Sequence, residues 1–222
     1  MEIERARARL EEIGGDGFSA ASRRDLKPED YLLLARFGDV GRHDDLAENP
    51  ACPPEALEAI VERGGRYAYK VARNPKAPPS ALARLADIVD ESDLRDIAKH
   101  PNAPPEVLET LASEHEDARL SVAENPNAPP ELLAKLATDS DVFVRRATAE
   151  NPNTPTEALR PLVRDPADTI MQGMARKQLI ERTGSVTLRF QGWLKGDGFI
   201  LIFIITLFVV MLAVMLGAMF LF

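Results

Sequence analysis

Five times in succession this chain spells nearly the same twelve residues. The first copy is Leu46-Ala47-Glu48-Asn49-Pro50-Ala51-Cys52-Pro53-Pro54-Glu55-Ala56-Leu57, and the others run over 71–82, 97–108, 122–133 and 148–159. Their leading prolines, Pro50, Pro75, Pro101, Pro126 and Pro152, stand 25, 26, 25 and 26 residues apart. A fixed period of this size implies units that cannot bury an apolar face alone and must stack on their neighbours. Such an array needs no single globular core.

Each copy reads as two helical pieces and two breaks. Pro54, Pro79, Pro105 and Pro130 suit a first helical turn, where the missing N–H would be unpaired anyway. The carboxylates Glu55, Glu106 and Glu131 that follow three of them suit the positive end of the helix dipole. The helix then places Leu57 and Ile60, Leu82 and Leu85, Leu108 and Leu111, Leu133 and Leu136, and Leu159 and Leu162 on one apolar stripe. A polar joint such as 138–141 leads to a second short helix ending in an apolar-Ala pair. The residue before proline is pushed out of the α region, so that helix must stop at Asn49, Asn74, His100, Asn125 and Asn151. An asparagine there bonds nearby backbone in an Asx turn. The four asparagines form a ladder along one edge, read as structural, and His100 breaks the series.

The stretch 144–155, Val-Arg-Arg-Ala-Thr-Ala-Glu-Asn-Pro-Asn-Thr-Pro, with Leu159 and Leu162 after it, resembles the leucine-rich repeat variant family. The resemblance covers about residues 25–165. It implies a right-handed superhelix of alternating α and 3₁₀ helices. Some relatives add a cysteine-rich iron–sulfur module; this chain has one cysteine, so no cofactor is carried over. The pattern is loosest at His100, at Thr156 in place of the second proline, and at the insert near 64–65.

The flanks complete the expected architecture. Residues 1–24 hold a helix, with Ile3, Leu10 and Ile13 inward, stopped by the glycines of 14–17. Lys27-Pro28-Glu29-Asp30-Tyr31-Leu32 is a worn repeat start, since Pro28 precedes Pro54 by 26 residues. It makes 25–37 a capping half-repeat at the head of the array over 25–165. Asp165-Pro166 reads as an N-cap and first helical residue of a closing helix over 166–184, with Ile170, Met174 and Leu179 inward. A linker over 185–198 follows, with Trp193 and Lys195 placed as membrane-interface residues.

From Phe199 to Phe222 every residue is apolar but Thr206, a run of 24. At about 1.5 Å per residue that is about 36 Å, enough for a transmembrane helix. Arg182, Arg189 and Lys195 precede it and place the N-terminal side in the cytoplasm. No apolar run opens the chain, which reads as lacking a signal peptide, so the span is expected as a tail anchor. The fold class is therefore all-α: a right-handed solenoid of about five repeats followed by one transmembrane helix.

Composition narrows the function. With 35 acidic and 27 basic residues the formal charge is −8, which repels phosphate backbones and argues against nucleic acid. His43, His100 and His115 fall at unrelated phases of the repeat, so no metal site is expected. Cys52 fills the small slot held elsewhere by Ala77, Ala103, Ala128 and Thr154. No nucleophile–base pair, phosphate loop or metal spacing is present, and the reading is not an enzyme. The acidic runs 87–96 and 114–117 lie at joints; they read first as solvated faces, and alternatively as one negative edge for a partner protein with a basic segment. The expected function is a membrane-tethered interaction scaffold. The rival is an accessory subunit of a larger membrane complex whose terminal helix packs against other spans.

Overall fold

The computed structural model describes residues 2–13, 18–38, 43–64 and 68–184. The expected membrane span over 199–222, the interface residues Trp193 and Lys195, the glycine stop over 14–17 and the side chain of Ile3 lie outside what is described. Among the described residues there is no strand, and no helix is long and apolar enough to cross a membrane.

The helices are α1 (Glu2–Glu12), α2 (Phe18–Ala21), α3 (Pro28–Phe37), α4 (His43–Glu48), α5 (Pro54–Arg63), a 3₁₀ helix (Ala68–Arg73), α6 (Pro79–Ala86), α7 (Glu91–Lys99), α8 (Pro105–Glu114), α9 (Glu116–Glu124), α10 (Pro130–Leu136), α11 (Val142–Glu150), α12 (Thr156–Leu162) and α13 (Thr169–Thr183). In each repeat a proline-initiated helix is followed by a second helix that ends at the Asn-Pro or His-Pro step. The stop is local: His100, Asn125 and Asn151 sit in extended backbone, with φ near −69°, −69° and −65°.

The implied alternation of α and 3₁₀ helices does not hold. Among the described residues only Ala68–Arg73, after the 64–65 insert, is 3₁₀; α4, α7, α9 and α11 are α-helical. α7, α9 and α11 each have nine residues, enough to close i→i+4 bonds, whereas 3₁₀ geometry persists only in short pieces.

Packing is between neighbours. The second helices stack in order, α4 on the 3₁₀ helix, then α7, α9, α11 and α13. The proline-started helices and α12 contribute the apolar stripe, and Leu57, Ile60, Leu82, Leu85, Leu108, Leu111, Leu133, Leu136, Leu159 and Leu162 are all buried. Removing such leucines from water contributes about 2 kcal/mol each.

Both ends are closed by atypical units. At the head, α1 lies on α3, held by the Arg9 guanidinium, which donates from Nε and Nη2 to the two oxygens of buried Asp30 at 2.8 and 2.9 Å. Arg9 keeps the Asp30 carboxyl below its usual range. Leu10 of α1 is partly buried, and Ile13 just after it is buried.

At the tail, α13 starts at Thr169 and not at Pro166. Its cap is Asp168, whose Oδ1 accepts from the amides of Ile170 and Met171 at 2.8 and 3.2 Å. Asp165 is used otherwise: it accepts from the Ala167 amide in a local turn and from Arg145 Nε at 2.8 Å. Met171, Ala175 and Leu179 are buried and Met174 partly so, while Ile170, expected inward, is 57% exposed. Gly184 ends α13 in the left-handed region at φ 64°, a conformation glycine adopts without strain.

Candidate functional site

The recurring polar residues converge on the seam between repeats. Asn49, Asn74, Asn125 and Asn151 are buried, and each makes the same set of bonds. The side-chain oxygen accepts from the amide two residues on: Ala51 at 2.9 Å, Lys76 at 3.0 Å, Asn127 at 2.8 Å and Asn153 at 2.9 Å. That is the Asx turn read from the sequence. The side-chain nitrogen reaches back across the seam to two carbonyls of the preceding unit. Asn74 Nδ2 donates to Ala47 O and Asn49 O at 2.7 and 3.0 Å. Asn125 does so to Ala98 O and His100 O at 2.7 and 3.0 Å, and Asn151 to Ala123 O and Asn125 O at 2.8 Å each. Each rung thus bonds to the backbone of the rung before it.

His100 does not break the series; it is a rung of different chemistry. Its Nδ1 accepts from the Asn102 amide at 3.0 Å, and its Nε2 lies 2.8 Å from Asn74 O. The neutral tautomer protonated on Nε2 satisfies both contacts. One N–H replaces the two of asparagine, so the imidazole reaches a single carbonyl. Burial depresses its pKa below the ordinary histidine value, opposed by the bond to Asn74.

The ladder also has ends that sequence reasoning missed. Asn49 Nδ2 donates to Ala21 O and Arg23 O at 2.8 and 2.7 Å, and the Tyr31 hydroxyl donates to Arg23 O at 2.6 Å. Arg23 stands 26 residues before Asn49, in register, but carries neither asparagine nor a following proline. At the other end Gln178, 27 residues after Asn151, donates from Nε2 to Ala149 O and Asn151 O at 2.8 and 3.3 Å. It lies one residue beyond a full period past Asn151, and a mid-helix glutamine carries no other signal in the sequence.

Outside this inner row, Pro50, Pro75, Pro101, Pro126 and Pro152 are exposed. Asn102, Asn127 and Asn153 form an outer row, donating to Ala77 O, Pro101 O and Pro126 O of the preceding unit. Arg182 closes it on Thr154 O and Pro152 O. Cys52 is wholly buried in its small slot, and desolvation pushes its thiol up to about 12, far from nucleophilic use. Among the described residues no group of three or more His, Cys, Asp or Glu side chains is placed to hold a metal.

The acidic joints divide into two sets. On the second-helix side, carboxylates pair with bases of the adjacent repeat. Arg73 meets Asp96 at 2.6 Å, Arg95 meets Asp117 at 3.6 Å, Lys99 meets Glu124 at 3.3 Å, Arg119 meets Asp139 at 3.5 Å and Arg145 meets Asp165 at 2.8 Å. On the other side α6 and α8 barely touch, and a groove of about 530 Å³ opens between them. Val89, Leu94, Val107 and Leu111 give it an apolar lining, and Asp87, Glu91, Glu106 and Glu114 stand around it.

Comparison with known proteins agrees with the repeat pattern. No curated protein and no solved structure matches the chain. A family model described as the leucine rich repeat variant domain matches residues 92–152, and one described as leucine rich repeat variant matches residues 142–167. These two matches support the leucine-rich repeat variant family for the stretch that carries the later rungs of the ladder.

Proposed function

We propose that this protein is a membrane-tethered protein–protein interaction scaffold that presents an acidic helical-repeat surface to the cytoplasm. In this reading residues 25–165 form a right-handed solenoid, residues 199–222 cross the membrane once, and the chain performs no chemistry. The supporting observation is how polar groups are shared out. The recurring amides and the His100 imidazole are consumed by repeat-to-repeat bonds, while carboxylates such as Glu106 and Glu131 on the proline-started helices face solvent. The apolar run of 24 residues supports the tether, which raises a partner's local concentration. The basic residues Arg182, Arg189 and Lys195 support the cytoplasmic orientation.

The apolar run also supports a second reading, an accessory subunit whose span packs against other membrane helices. Crosslinking in intact cells with mass spectrometry, comparing the full chain with one ending at Gly196, separates the two. Partners kept by the shortened chain place recognition in the repeats; partners lost with the span assign it to the membrane segment. If no crosslinked protein depends on the repeats, the scaffold reading fails.

A further inference from the structure

The groove between α6 and α8 differs from every other acidic joint described above. There, carboxylates are neutralised by arginine or lysine of the next repeat. Around the groove, Asp87, Glu91, Glu106 and Glu114 form no ion pair among the described residues, and the remaining ionisable side chain that lines it is His115. Four carboxylates around one groove without counter-charge make it negative, and a cation entering it is attracted. The floor is apolar. Val107 and Val89 are partly open to solvent beside buried Leu94 and Leu111. The volume of about 530 Å³ lies within the range of clefts that hold ligand side chains.

We propose that this groove docks a basic peptide segment of a partner protein, one with an aliphatic or aromatic residue between lysines or arginines. The apolar residue lies over Val107 and Val89, and the flanking cations meet Glu106 and Glu114 on α8 and Asp87 and Glu91 at the joint. A small uncharged apolar ligand would leave the four carboxylates uncompensated. A polycation without an anchor would leave the apolar floor wet. This inference rests on the scaffold reading and names the surface and partner chemistry for it.

The test uses the full chain in detergent micelles and fluorescein-labelled nonapeptides of lysine and arginine around one central phenylalanine. Fluorescence anisotropy should show binding that weakens as salt rises. The pair Glu106→Lys with Glu114→Lys should weaken it roughly tenfold or more. The pair Glu131→Lys with Glu157→Lys, the same change of net charge on α10 and α12, should leave it within about twofold. Val107→Ser, or glycine for phenylalanine in the peptide, should also weaken binding several-fold. Equal loss with both charge-reversed pairs, or indifference to the phenylalanine, overturns the proposal, because net charge alone would then explain the binding. If the groove variants bind as the parent does while crosslinked partners still depend on the repeats, the groove is wrong and the scaffold stands.

Discussion

Replacing Asn125 by alanine removes three hydrogen bonds at once. The lost partners are not equivalent. His100 O keeps a bond from the Ala103 amide at 3.0 Å, and Asn127 lies at the surface where water can reach its amide. Ala98 O, bonded by Asn125 Nδ2 at 2.7 Å, is buried against the seam and loses the partner that satisfies it there. Three bonds at about 1 kcal/mol each, with the orphaned carbonyl as the dominant part, give a loss of about 3 kcal/mol. Asn125→Asp has nearly the same shape and sharpens the test. Its second oxygen would face two carbonyl oxygens, so the carboxyl must hold a proton to stay in place. That raises its folded pKa above the unfolded value of about 3.9, so stability is present below that value and lost as pH rises through the folded pKa. Urea unfolding of the full chain in micelles, followed by circular dichroism at acid and neutral pH, measures both variants. Hydrogen exchange at the Asn127 amide reports the local rung. Were Asn125→Asp as stable as the parent at neutral pH, the amide nitrogen could not be pointing at Ala98 O and His100 O, and the ladder would be wrong.

Three further outcomes follow from the same geometry. His100 has a folded pKa below its unfolded value of about 6.5, so stability is full above that pH and falls as pH drops toward the folded pKa; His100→Asn should flatten the curve in that window. Asp168→Ala should fray the start of α13 and cost about 1–2 kcal/mol, while Asp165→Ala should leave the helix start unchanged, as read by amide exchange at Ile170 and Met171. Cys52 should resist thiol reagents until the chain unfolds, and Cys52→Ala, matching Ala77 and Ala103, should cost less than about 1 kcal/mol in the same urea titration.

The helical elements of the repeats were legible because their causes are local. Proline fixes φ at the start of α5, α6, α8 and α10, and the following proline step forbids continuation beyond Asn49, Asn125 or Asn151. Leucines at i and i+3 identify the buried face without reference to anything distant. The Asx half of each rung was legible for the same reason, since it spans two residues. The flanks were harder. Asp165-Pro166 reads as a helix start, but Asp165 is engaged by the Ala167 amide and by Arg145, 20 residues away, and Asp168 caps α13 instead. The acidic joints looked alike along the chain, and only their neighbours distinguish the paired carboxylates from those of the groove.

The sequence by itself determined that this chain is a stack of proline-punctuated helical units with one apolar face and a polar turn at each seam. Backbone sterics and periodicity act over a few residues and need no partner. Tertiary structure decided what those turns do: Nδ2 of each asparagine bonds carbonyls 25 to 28 residues earlier, His100 substitutes as a rung, and Gln178 and Arg23 close the row. A hydrogen bond needs its atoms within about 3 Å, and which carbonyl comes that close depends on how one unit settles on the next.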